Sequence, residues 1–323
     1  MSVNEAKTAF ESPIFLVGTT RSGTTVLGLM LGDHPKIIAL GEFEWPWDFQ
    51  PELERPDLDG YRRWLKTNRH FSHHGVKIDP ALGFDDLVRS FLEQMWEMDD
   101  PQRSSQALVT QVHRHFEHAL RLWPDARFIH IGRDGRDVCA SWLKLAWVGN
   151  GHRAGLSWKA AMQEWQAAKE RVNPDNRIEL RFEDLIHNVE PELERLCDFL
   201  GLAYDDAMLR YHEHSTYSPI DPNQAGKWQT GLGRRDLRLF ESAAGDELEA
   251  QGYPLSDTPR YVQRPWSNLW LRIDDALRHN WRRIEKYGIS IWFWDHVTRR
   301  LPILGARDRV QLRINAIENS RVQ

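Results

Sequence analysis

The chain has 323 residues, 41% of them hydrophobic and 28% charged, enough apolar material for one large domain or two unequal ones. Its net charge of −5 hides a division: 29 Lys+Arg against 41 Asp+Glu in residues 1–259 leave −12, and 13 against 6 in residues 260–323 leave +7. Two cysteines, Cys139 and Cys197, with no CxxC or framework spacing, exclude a disulfide scaffold and a cysteine metal site and read as core thiols.

In chain order, residues 1–8 lack the basic-then-apolar pattern of a leader. The longest apolar run, Ile291–Trp294, is too short to span a bilayer, so the expected location is cytoplasmic. Pro13–Val17 is a short continuous apolar run that suits a buried parallel strand, followed by a glycine-bearing turn and an apolar core helix over Thr25–Leu31. Residues 84–98, 113–123 and 157–171 carry the spacing of amphipathic helices, with surface connections at Pro51–Pro56 and Asp99–Ser105. A second strand, Arg127–Ile131, leads through Arg133–Asp137 into a helix around Val138–Leu143. A third, Arg177–Phe182, precedes a helix over Glu192–Leu200 that stops at Gly201. Strands alternating with helices predict an α/β fold, a P-loop-like parallel sheet flanked by helices.

Residues 253–266, with Pro254, Pro259 and Pro265, read as a linker between a main domain, 1–258, and a basic C-terminal helical extension, 259–323. The extension holds five of the fifteen tryptophans. Trp266, Leu269, Trp270, Ile273, Leu277, Trp281 and Ile284 fall on one helical stripe that ends at Gly288.

The turn Gly18-Thr-Thr-Arg-Ser-Gly-Thr-Thr25 sits between a buried strand and a helix, where backbone N–H groups and the helix N-terminus favour an anion. Its Gly18-x-x-x-x-Gly23 spacing imitates a Walker A loop, but Thr24 stands where the phosphate-neutralising lysine belongs, and the cation is Arg21 instead. A packing turn has no need for so many hydroxyls beside a guanidinium. After the second strand, Arg133-Asp-Gly-Arg-Asp-Val-Cys-Ala-Ser141 places Arg133 and Ser141 within reach of one phosphate.

With these two motifs in order, the chain resembles the PAPS-dependent sulfotransferases, where PAPS is 3′-phosphoadenosine-5′-phosphosulfate. Their 5′-phosphosulfate loop looks like Gly-x-x-Arg/Lys-Ser-Gly-Thr-Thr and their 3′-phosphate motif like Arg-Asp-x-Arg-Asp-x-x-x-Ser. Asp33-His-Pro35, Gly41-Glu42, Trp123–Ile129, Arg181–Leu185, Cys197–Leu202, Gly226-Lys-Trp228 and Gly252-Tyr253 extend the resemblance over residues 12–254. It implies that Arg21, Ser22, Gly23, Thr24 and Thr25 bind the 5′-phosphosulfate and that Arg133 and Ser141 bind the 3′-phosphate. Lys227 is then a weaker third contact, and Phe182 lies near the adenine, where relatives often carry tyrosine. Arg136 and Asp137 read as a helix-start salt bridge.

Sulfuryl transfer needs an in-line arrangement and charge stabilisation on the leaving phosphate, a role for Arg21, with no metal required. The resemblance nominates Glu42 as general base, with Glu44 as its neighbouring rival and His113, as in lysine-loop relatives, as an alternative. Val112 departs from the lysine common in that segment. The acceptor is a hydroxyl or amine of unassigned identity, and Phe43, Trp45, Trp47, Asp48, Phe49, Trp142 and Trp147 are candidates to face it. No nucleic-acid partner is expected. The basic extension is a candidate for peripheral membrane contact, against simple packing on the acidic domain. A P-loop nucleotide kinase and a non-catalytic nucleotide-binding or scaffold module remain the competing classes.

Overall fold

The computed structural model describes residues 9–48, 57–259, 261, 267–300 and 306–322, with backbone alone at 318–322. Pro51–Pro56, Phe49 and Trp266 lie outside the described residues, as does most of the expected linker beyond Pro259. Five strands, β1 (Ile14–Val17), β2 (Ile37–Glu42), β3 (Ala107–Val112), β4 (Arg127–Gly132) and β5 (Arg177–Arg181), form one parallel sheet in the order β2-β3-β1-β4-β5. Between β1 and β3 the chain forms α1 (Thr24–Gly32), α2 (Leu58–Leu65), α3 (Arg69–His74) and α4 (Phe84–Asp99). Helices α5 (Phe116–Leu122), α6 (Gly135–Lys144) and α7 (Gly151–Lys169) frame β4. Beyond β5 come α8 (Phe182–His187), α9 (Val189–Leu200), α10 (Trp228–Gly231) and α11 (Arg234–Ala250). The extension is α12 (Ser267–Tyr287), α13 (Ile289–Thr298) and α14 (Ala306–Val322).

A parallel sheet covered on both faces must bury both sets of alternating side chains. Phe15 and Val17 of β1 join a core with Phe43, Trp45, Phe91 and Trp123, while Ile14 and Leu16 enter the opposite core with Leu27, Leu193 and Leu196. A third cluster, centred on Trp158 and Phe240, joins α6, α7 and α11. Cys139 and Cys197 are buried free thiols.

The strands expected at 13–17, 127–131 and 177–182 are present, as is the helix over 84–98. Two strands were not anticipated. β3 lies wholly buried between β1 and β2, and it displaces the start of the helix expected at 113 to Phe116, behind His115 in left-handed conformation at φ 58°. The helix expected over 157–171 begins earlier, at Gly151, and ends at Lys169. At the connection after α4, the Asp100 carboxylate accepts the N–H groups of Ser104 and Ser105 at 3.0 and 2.8 Å.

The extension is tied to the main body. Asn150 donates to the Leu271 carbonyl and the Asp274 carboxylate, both at 2.9 Å, and the Gly149 N–H donates to Asp275 at 2.7 Å. Arg282 donates to the carbonyls of Leu143 and Val148, and Asn315 of α14 donates to the Thr67 carbonyl. Within the extension, the buried Asp295 carboxylate gathers Arg283, Arg299 and Arg307.

Candidate active site

In a doubly wound sheet the crevice opens at the carboxyl ends of the strands, where the connections diverge. Here the chain leaves β1 toward β2 and leaves β4 toward β5, so the divergence falls between neighbouring β1 and β4. The turn after β1 and Arg133 after β4 meet there. The Arg133 Nη1 donates to the Arg21 carbonyl at 3.1 Å, across 112 residues of sequence. The Arg21 Nε donates to the Ser141 Oγ at 3.0 Å. The three residues read as phosphate ligands are thus brought to one point.

The turn is shaped by close approach and unusual backbone. A Cβ on Gly18 would sit 2.5 Å from the Ile131 carbonyl, and Gly23, at φ 105°, would drive one to 2.4 Å from the Phe182 ring. Arg21 itself adopts φ 74°, a strained region for a residue with a side chain. Ser22, fully buried, has a hydroxyl with no protein partner, as does the Thr19 hydroxyl, and the Arg133 Nε is likewise unpartnered. Buried polar groups left unpaired cost free energy, so these atoms fit a bound anion at the α1 N-terminus. A cavity of about 300 Å³ opens beside them, bordered by Arg21, Thr24, Thr25, Arg133 and Phe182, with Tyr211–Asp221 opposite. The Arg133 guanidinium lies 4.2 Å over the Phe182 ring.

Lys227 is exposed and does not border that cavity. Its neighbours are held by a residue that sequence reasoning treated as part of a local salt bridge. The Asp137 carboxylate accepts the Gly226 and Trp228 N–H groups at 2.9 and 2.7 Å, besides facing Arg133 at 3.8 Å. Burial raises the Asp137 pKa, and Arg133 with the two N–H groups only partly offsets it. Arg136, expected to pair with Asp137, instead forms a salt bridge with Asp134 at 2.7 Å and another with Glu241 at 3.0 Å. Glu183 adds a second clamp, accepting from the Asp134 N–H and the Tyr253 hydroxyl.

The three nominated bases occupy different environments at the ends of β2 and β3. His113 is buried, its Nδ1 3.1 Å from the Glu44 carboxylate and its Nε2 3.0 Å from the Thr24 Oγ1. Burial alone would depress the imidazole pKa, but the Glu44 carboxylate outweighs it and raises the value. Burial would likewise raise the Glu44 pKa, but His113 and Arg114 outweigh it and lower the value. Each group thus favours the charged form of the other, while the imidazole Nε2 faces the Thr24 hydroxyl. The Glu42 side chain is 43% exposed, against 7% for Glu44 and 4% for His113. Glu42 borders a second cavity, of about 780 Å³, with His70, His73 and His74 of α3 and Met95 and Met98 of α4.

Among the described residues, the aromatics of the run after Glu42 are not exposed. Phe43, Trp45 and Trp47 are core residues, packed edge-on around Phe43 at centroid distances of 5.9 and 5.7 Å. Asp48 instead pairs through two hydrogen bonds with Arg114. Trp142 is buried with its indole N–H on the Thr20 hydroxyl, and Trp147 is exposed. Val112, where a lysine is common, is a buried strand residue paired with Val17. Among the described residues one cluster, His115, Glu117 and His118, brings metal-ligating atoms within 4.8 Å of one another; none of the three borders either cavity.

Comparison with known proteins agrees with this architecture. The family model described as "Sulfotransferase family" matches residues 13–206, and the chain belongs to that family. Protein-tyrosine sulfotransferase A of Caenorhabditis elegans is 25% identical over 273 residues, 77% of this chain and 69% of that protein. A protein of Aquifex aeolicus is 23% identical over 249 residues, 71% of this chain but only 30% of the other. Among solved structures, the sulfotransferase domain of the curacin biosynthetic pathway superposes with a TM-score of 0.52 at 17% identity, covering 76% of this chain and 99% of that domain. The corresponding domain of the Synechococcus PCC 7002 olefin synthase gives 0.51 at 19% identity, covering 76% and 96%. These likenesses establish the shared fold. The protein is a sulfotransferase enzyme, which sets aside the nucleotide kinase and the non-catalytic module.

Proposed function

We propose that the protein transfers the sulfuryl group of PAPS to a hydroxyl or amine of its acceptor, with Glu42 as general base. The observation that carries this reading is the convergence of Arg21, Arg133 and Ser141 beside the unpartnered Ser22 hydroxyl and Arg133 Nε. A site with two separate cations around a strand-end turn suits a ligand with phosphate at two ends. Ser22, Gly23, Thr24 and Thr25 hold the 5′ end with Arg21, and Arg133 and Ser141 hold the 3′-phosphate. Phe182 lies by the adenine, and Lys227, exposed on the segment that Asp137 fixes, is at most an outer contact on the 3′ side.

PAPS supplies a sulfuryl group on a good leaving phosphate. Glu42 takes the acceptor proton while the new bond to sulfur forms and the bond to the 5′-phosphate oxygen breaks. Arg21, which keeps its proton, steadies the charge that gathers on that oxygen. The choice of Glu42 is supported by access: its carboxylate borders a cavity, whereas His113 and Glu44 are buried against each other and Glu44 also faces Arg114. Relatives named protein-tyrosine sulfotransferases put a phenolic hydroxyl among the acceptors to screen.

Calorimetry with 3′-phosphoadenosine-5′-phosphate (PAP), ATP and GTP tests the donor site: PAP binds and the others bind at least tenfold more weakly. ATP binding as tight as PAP overturns the reading. With an acceptor found by a labelled-PAPS screen of phenols, sugars, glycolipids and amines, Glu42→Gln lowers kcat by roughly 10²–10⁴-fold and leaves PAP affinity unchanged. Near-normal turnover in that variant removes Glu42 as the base.

A further inference from the structure

The extension places its apolar stripe where packing on the main domain does not cover it. Helix α12 docks through Leu271, Asp274, Asp275 and Arg282, on the side adjoining the stripe. Trp270, Leu277 and Trp281 are each 66% exposed, and Leu269 and Ile273 beside them are exposed as well. Ile289, Phe293 and Trp294 of α13 are exposed too. Hydrophobic side chains scattered singly on a surface need no explanation, but a contiguous row along one side of α12 does. The Asp295 clasp on Arg283, Arg299 and Arg307 holds these helices in place, so the row is a fixed face.

We infer that this face docks peripherally on an anionic lipid surface. Residues 260–323 carry 13 Lys+Arg against 6 Asp+Glu, and Arg272 of α12, Arg300 just past α13, and Arg309 and Arg313 of α14 stand exposed. Tryptophan and leucine beside arginine is the composition of an interfacial helix, whose apolar face enters the headgroup boundary while its cations meet lipid phosphates. Charge favours lipid over a second copy: stripe-to-stripe pairing would bring two such basic extensions together. No described helix is long and apolar enough to cross a membrane, which makes the contact a surface one. Docking of this kind stands whether or not the crevice binds PAPS.

Co-sedimentation of the full chain with vesicles of phosphatidylcholine alone, and of phosphatidylcholine with phosphatidylglycerol, tests this. The protein partitions onto the anionic vesicles and is released by salt. Leu277→Glu and Trp270→Glu each lower that partition by about tenfold or more, as expected from losing one buried large apolar side chain. Arg309→Glu with Arg313→Glu lowers it on anionic vesicles while circular dichroism and PAP affinity stay at wild-type values. Failure of the wild-type chain to bind anionic vesicles, or equal binding by the variants, overturns the inference. Light scattering closes the remaining alternative: a dimer in solution that Leu277→Glu converts to monomer assigns the face to a second copy instead.

Discussion

Glu42 and Glu44 stand two residues apart at the end of one strand, yet their carboxylates meet opposite surroundings. Glu42 opens onto a cavity; Glu44 is buried against an imidazole. Removing one member of a buried ion pair leaves the other uncompensated, so Glu44→Gln costs about 2 kcal/mol or more of stability by urea unfolding. The pH dependence follows from the signs. The raised His113 pKa contributes stability that is complete below its ordinary value of 6.5 and lost as pH rises through the folded value. The lowered Glu44 pKa contributes stability present above 4.5 and lost as pH falls through its folded value. Wild-type stability therefore declines on the alkaline side of this window, and in Glu44→Gln that decline disappears and the His113 pKa, read by NMR, falls. An unchanged alkaline limb would show that the pair does not act as an ion pair.

At the scale of elements, the strand-turn-helix unit around Gly18–Thr25 works because small residues let other elements close on it. Gly23 meets two demands at once, a left-handed backbone and a Phe182 ring where its Cβ would lie. Gly41, at φ 75°, meets only the first, since nothing lies within 4 Å of its Cβ position. Gly23→Ala therefore costs about 2–4 kcal/mol, from backbone strain and overpacking together, and weakens PAP binding measured by calorimetry. Gly41→Ala costs only the backbone part, about 1–2 kcal/mol, and leaves PAP affinity intact. Equal losses in the two variants would mean that Phe182 yields freely. The turn and its Arg133–Ser141 partner were legible in the sequence because both motifs are local runs. The Asp137 clamp on Gly226 and Trp228 was not, because its partners lie 89 and 91 residues away.

At the scale of the molecule, hydrogen bonds from Asn150, Gly149 and Arg282 tie an acidic body to a basic extension, within which three arginines are drawn onto one carboxylate at Asp295. Asp295→Ala removes the common partner and lowers the local stability of α13 and α14 by about 1–3 kcal/mol. Hydrogen exchange of those helices quickens, while α12 around Leu271 and Asp274, which has its own anchor on Asn150, keeps its protection and PAP affinity does not change. Unchanged exchange in α13 would show that the arginines are held some other way.

Local sequence by itself determined the phosphate-binding turn, its arginine partner motif, three of the five strands and the family those features resemble, since each is carried by residues close together in the chain. It also determined that residues 267–287 form a helix with one apolar face, because periodicity is a local property. The tertiary structure alone decided what long-range competition for partners decides. It recruited Ala107–Val112 as a buried central strand, sank Phe43, Trp45 and Trp47 into the core and locked His113 between Glu44 and Thr24. It also turned a polar side of the extension inward, because Asp275 and Arg282 satisfy backbone groups of the 143–150 segment and Asp274 accepts from the Asn150 side chain, leaving Trp270 and Trp281 outside.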